Sequence, residues 1–185
     1  MTSVNGLILI PIGEISPEDL FEAKRLINQA FRGKLEIHVS TARINPPMHL
    51  IDWDRLQYRA DHVTQWVSSI TPTIRRAGYL VVGVCGCDAY VEGLNFVFGL
   101  AMPALGAATV YTRRLVARSR EQYIERIAKE VVHETGHLLG LQHCSDKSCV
   151  MSFSNSILDV DRKSYMFCDK CWRKVEDRLN VDDEG

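Results

Sequence analysis

The chain has 185 residues, 46% apolar and 24% charged, with a formal net charge of -1. That length suits one domain with a core and a small appendage. The charge gives no electrostatic reason for a nucleic-acid or anionic-membrane partner, and no apolar run nears the ~18 residues of a membrane span.

Residues 6–13, "GLILIPIG", read as a buried first strand rather than a signal peptide: no basic segment precedes them and no small-residue cleavage site follows. The expected location is therefore the cytoplasm, where six cysteines are thiols or metal ligands rather than a disulfide framework. "SPEDLFEAKRLINQAF" starts a helix, with Ser16 as N-cap and Pro17 at the first helical position. Leu20, Ala23, Ile27, Ala30 and Phe31 recur at helical spacing. Leu35, Ile37 and Val39 alternate as in a half-buried strand. The paired prolines of "INPPMHLID" predict a loop, and residues 55–70 a second helix ending near Thr71-Pro72. "YLVVGVCGC", "NFVFGLA" and "ATVYTRRLV" are expected as three strands. "SREQYIERIAKEVVHETGHLLG" is a helix opened by a Ser119/Gln122 capping box and stopped at Gly140. A loop rich in cysteine follows, then a short helix around "CWRKVEDRL". The expected class is α/β (α+β): one domain over 1–185, with a mixed twisted sheet and active-site helix in 1–142 and a metal-stapled tail in 143–185.

Chemistry concentrates in "VVHETGHLLGLQHCSDKSCVM". On a helix, His133 and His137 lie one turn apart on one face, away from the apolar stripe of Ile124, Ile127, Ala128, Val131, Thr135 and Leu138. Two such imidazoles can bind one zinc at about 2.0–2.1 Å each. Glu134 points aside, placed to act as general base on a water held there. Gly140 permits the left-handed turn that brings His143 back as third ligand. Three protein ligands and one open position describe a catalytic zinc.

Cys144, Cys149, Cys168 and Cys171 form C-x4-C followed by C-x2-C, the donor set of a structural zinc that would fasten the tail. Two disulfides or a redox C-x-x-C are the other readings. Neighbouring side chains diverge, so His143 can close the nitrogen site while Cys144 opens the sulfur site, on the order of ~10 Å apart or less. Cys85 and Cys87 are read as small buried hydrophobes. His38, His49 and His62 are read as surface residues, Arg113 and Arg114 as a solvated strand end, and the "RIAKE" charges as helix surface.

H-E-x-x-H-x-x-G-x-x-H, with Met151 in C-x-M and a later C-x-x-C, resembles the metzincin zinc peptidases and, among them, the archaemetzincins. The resemblance implies His133, His137 and His143 as catalytic zinc ligands, Glu134 as base, Met151 as the residue of the Met-turn, and the four cysteines as holders of a second zinc. It further implies that "NFVF", Asn95, Phe96, Val97 and Phe98, is an edge strand that pairs with an extended peptide substrate. Phe153 stands two residues after Met151, where astacin-type relatives carry a tyrosine ligand. The implied activity is hydrolysis of a peptide or small protein by a monomer. A zinc hydrolase of small molecules, and a binding protein with a closed cleft, are the alternatives. With no pro-segment before the first strand, a narrow cleft is expected to limit activity; free digestion of casein would refute that.

Overall fold

The computed structural model describes residues 4–180; residues 1–3 and 181–185 of the expected domain lie outside them. In chain order the elements are β1 (Gly6–Ile12), α1 (Pro17–Ala30), β2 (Glu36–Val39), β3 (Ile51–Asp52), β4 (Gln57–Arg59), α2 (Ala60–Ile70), α3 (Pro72–Arg76), β5 (Tyr79–Cys85), β6 (Ala89–Tyr90), β7 (Gly99–Met102), β8 (Ala107–Tyr111), α4 (Arg120–Leu138), α5 (Ile157–Arg162) and α6 (Asp169–Leu179). The main sheet runs β2-β1-β5-β8-β7; its first four strands are parallel and β7 is an antiparallel edge. The mixed α/β class is as expected.

Strand alternation divides the core into two layers. Leu7, Leu9, Val82, Val84, Ala108 and Val110 pack toward α1 and α4. Ile10, Ile12, Val81, Cys85 and Tyr111 pack toward α2. Parallel strands need both faces covered, and the βα connections provide the cover. Helix α1 begins as its sequence directs: the Ser16 side chain accepts from the Glu18 N–H, with Pro17 in the first turn. Ser119 caps α4 through the Gln122 N–H.

Four expectations are corrected. The strand placed on "NFVFGLA" starts only at Gly99: the Val97 N–H donates to Ala89 O, outside the main sheet, and Phe98, buried in the core, keeps one bond to β8 through its carbonyl. The second helix starts at Ala60; the residues before it form β3 and β4, which join the later β6 in a small separate sheet that short unpatterned strands do not announce. Cys85 and Cys87 are joined as a disulfide rather than lying as two thiols.

The charges of "RIAKE" are not helix surface: Arg126, Lys129 and Glu130 are all buried. The tail folds back over the polar face of α4 and supplies partners. Arg126 grips Asp161 with two bonds of 2.8 and 2.7 Å and donates to the carbonyls of Leu115 and Val116. Lys129 pairs with Glu125, and Glu130 with Lys163, which is itself fully buried. Buried charges persist where such partners replace water. His38, His49 and His62 are exposed, as expected. Among the described residues no helix is long and apolar enough to cross a membrane.

Candidate functional site

Helix α4 runs behind the edge strand and presents His133, Glu134 and His137 to a cavity of about 560 Å³. The chain leaves the helix through a Schellman turn: Leu141 N–H donates to Gly136 O, Gly140 N–H to His137 O, and Gly140 has φ +92°. This reversal brings His143 back, with ring centroids 5.3 Å from His133 and 4.8 Å from His137. One donor atom of each histidine lies within 4.8 Å of the others.

Two carbonyls set the ring tautomers. His133 Nδ1 donates to Val150 O and His137 Nδ1 to Leu141 O, both at 2.8 Å. The Nε2 lone pairs are thereby turned into the cavity, 3.1 Å apart. A tetrahedron with bonds of about 2.05 Å has edges of ~3.3 Å, so the pair fits zinc. Burial, then the Lys163 charge, holds His133 well below the usual histidine range. Burial also lowers His137 and His143, leaving the imidazoles neutral and able to ligate.

Glu134 stands outside the histidine cluster but in the same cavity. Burial, reinforced by Glu130 and opposed by Lys163, pushes its carboxyl well above the usual carboxylate range. A dication bound beside it would favour the ionised form again. Its position depends on Gly99: a Cβ there would fall 2.5 Å from Glu134 Oε1. Gly99→Ala is therefore expected to displace the carboxylate and lower peptide-cleavage kcat about 100-fold, with zinc content retained. Steady-state kinetics with metal analysis checks this; an unchanged rate would show that the contact is not needed.

Met151 packs against α4, its Sδ so close to the helix that a Cβ on Gly136 would collide with it. The Cys144 N–H donates to Met151 O, and the preceding carbonyl, Val150 O, accepts from His133 Nδ1. The Met151 segment is thus tied to both sets of ligands.

The sulfur cluster brings Cys144, Cys149, Cys168 and Cys171 together, all four as free thiols with donor atoms within 4.8 Å. Cys144 Sγ and Cys168 Sγ are 3.8 Å apart, the ~3.8 Å edge expected for a tetrahedron with 2.3 Å Zn–S bonds. Burial pushes the Cys149 thiol up to about 11, which a bound cation would reverse. His143 and Cys144, neighbours in sequence, belong to different clusters, so the chain changes sites between them.

Asn95, Phe96, Val97 and Phe98 do line the cavity, as a loop ahead of β7. The loop is gripped from outside. Arg114 makes two bonds of 2.8 Å to Asp88 and lies over the Phe96 ring at 4.4 Å. Gln57 donates to Asn95 O at 3.1 Å. Arg113 and Arg114 are both exposed, as expected, and Arg114 in addition braces the site. Glu130 and Asn155, which sequence reading missed, also line the cavity, as does Phe153. Phe153 rests 5.1 Å from the His143 ring. Only its place in the motif, two residues after Met151, pointed to it.

The model of peptidase family M54 matches residues 20–177. An archaemetzincin of Aeropyrum pernix is 42% identical over 181 residues, covering 95% of each chain. The archaemetzincin structure from Methanopyrus kandleri superposes with a TM-score of 0.77 at 31% identity, covering 95% of this chain and 96% of that one. A zinc-dependent peptidase structure from Methanocorpusculum labreanum reaches a TM-score of 0.83 at 26% identity, over 92% and 100%. With this fold, this pair of ligand clusters and these relatives, the chain belongs to peptidase family M54, the archaemetzincins, and is a zinc metallopeptidase.

Proposed function

We propose that His133, His137 and His143 hold the catalytic zinc, that Glu134 is the general base, and that the four cysteines hold a second, structural zinc. The observation that carries the reading is the Nδ1 donation of His133 and His137 to backbone carbonyls, which aims both Nε2 atoms at one point beside Glu134. Zinc bound there supplies a Lewis acid that polarises a peptide carbonyl and acidifies water. Glu134 takes the proton from the attacking water and returns it to the departing amine. Met151 serves as the Met-turn of a metzincin, a packed floor that holds the histidine cluster in register with α4.

The substrate is read as an extended peptide that adds to the outer edge of β7, with Asn95, Phe96, Val97 and Phe98 forming the cavity wall against its side chains. The open edge strand beside the cavity favours a peptide over a small molecule. The protein is assigned to the cytoplasm as a monomer. Its four cluster thiols are free, and the Cys85–Cys87 bond joins residues two apart, so it closes no long loop of the kind that stabilises secreted scaffolds.

Metal analysis of the purified protein tests the assignment, with two zinc ions expected per chain. A mild chelator is expected to remove the histidine-site zinc first and stop peptide cleavage while the fold stays intact. Stronger chelation then releases the second zinc and loosens the tail, read as loss of the Trp172 tertiary signal. A single zinc per chain would sink the two-site assignment. Cleavage that outlives removal of the first zinc would sink the catalytic one.

A further inference from the structure

Beyond the metal cavity, β7 borders a second cavity on its other face, toward α2. Val91, Leu100, Ala101 and Pro103 line both, so the two are continuous across the edge strand. Leu100, Met102 and Leu105 give the second cavity an apolar lining. Arg59 and Asp61 at its border bind each other through bonds of 3.2 and 2.8 Å, and the exposed Glu92 is the other charged residue in its lining.

The pleat of β7 decides what can enter. A Cβ on Gly99 would point at Glu134, and Ala101 packs with the core layer beneath α4, so these two face the metal side. Leu100 packs with the opposite layer beneath α2. Phe98 O accepts from the Tyr111 N–H. Continuing that antiparallel ladder, the N–H and C=O groups of Gly99 and Ala101 turn outward, to the unpaired edge. A peptide added there places residues opposite Gly99 and Ala101 with their side chains toward the metal cavity. The residue between them, opposite Leu100, must send its side chain to the far face.

We propose that the far-face cavity is a specificity subsite for an apolar side chain of the substrate, carried by the residue paired opposite Leu100. This rests on the reading that substrate pairs with β7. The enzyme then selects with both faces of its edge strand, and its preference alternates with period two. Leu105 and Ala104, at the turn after β7, form the outer wall of this subsite.

The test is a peptide-library digest of the zinc-loaded enzyme, of Leu105→Glu and of Ala104→Trp, with N-methyl scanning of one good substrate. Wild type is expected to enrich Leu, Ile, Met or Phe about tenfold at a single position flanked by the metal-facing residues. Leu105→Glu should replace that enrichment by one for Lys and Arg. Ala104→Trp, a change at an exposed turn position, should restrict the same position to Gly and Ala and keeps the test valid if Leu105→Glu fails to fold. N-methylation is expected to block cleavage at alternate amides only. Cleavage indifferent to N-methylation overturns strand pairing and the subsite with it. Alternate sensitivity with unchanged profiles in the folded variants overturns the subsite alone.

Discussion

Replacing Glu134 by glutamine is expected to lower kcat for peptide cleavage about 10²–10⁴-fold while zinc content and fold are kept. Glutamine has nearly the same volume, so the wall it shares with Gly99 is undisturbed. It cannot take up a proton, so the transfer from water and the later transfer to the leaving amine are both lost. Steady-state kinetics on one defined peptide, with metal analysis of the same sample, gives the answer. A rate within tenfold of wild type would mean that another group is the base. The substitution has a second signature. Burial raises the Glu134 carboxyl well above its ordinary value of 4.5. In the zinc-free protein the neutral form is favoured by folding, a contribution fully present below 4.5 and lost as pH rises through the raised value. Zinc-free wild type should therefore lose stability relative to Glu134→Gln as pH rises above 4.5, with chemical denaturation as the readout. A constant difference across that window would show that the carboxyl is not held neutral by its surroundings.

Lys163→Met is expected to destabilise the protein by about 3–5 kcal/mol. The Lys163 side chain is fully buried, and its Nζ lies 3.0 Å from Glu130 Oε1, itself 3% exposed. The approach lacks hydrogen-bond alignment, and Glu130 Oε1 has no other partner, so the pair is held by charge. Removing the ammonium strands a carboxylate in the wall of the catalytic cavity, one helical turn before Glu134. Methionine fills a similar volume, which separates the loss of charge from a cavity effect. The double variant Lys163→Met with Glu130→Gln should recover most of the loss, because the uncompensated charge is gone. Urea denaturation of the four proteins of this cycle measures it. A single-variant loss below about 1 kcal/mol would mean that water reaches Glu130 and solvates it.

This pair also shows how far the chain could be read in advance. Glu130 sits in a run of charges that a helical pattern assigns to solvent, since charged residues seldom lie fully inside. Its partner comes 33 positions later, from the end of α5. A period of 3.6 identifies the apolar stripe of a helix; it does not tell whether a distant segment will cover the polar face. The same limit applies to Arg126 and its partner Asp161.

Local chemistry was legible. Ser16 and Ser119 cap their helices, Gly140 takes the left-handed turn, and α1 and α4 lie within a few residues of the bounds their spacing gives. The histidine and cysteine groupings were legible too, because metal ligands must recur at spacings their backbone can close. Phe96 and Phe98 were expected in a strand because an apolar run lies between Gly93 and Gly99 and because the family resemblance places an edge strand there. The backbone bond that decides the matter, from the Val97 N–H to Ala89 O, is made with a separate element.

By itself, the sequence determined what each segment can do within its own hydrogen-bonding reach: the helix that sets His133 and His137 one turn apart, the turn that returns His143, and the alternation that builds a two-sided core. Only the tertiary structure decided which carbonyls fix the ring tautomers, which strand forms the open edge, and that the tail buries the charges of α4. Those outcomes come from contacts between residues far apart in the chain, where burial and charge pairing override local preference.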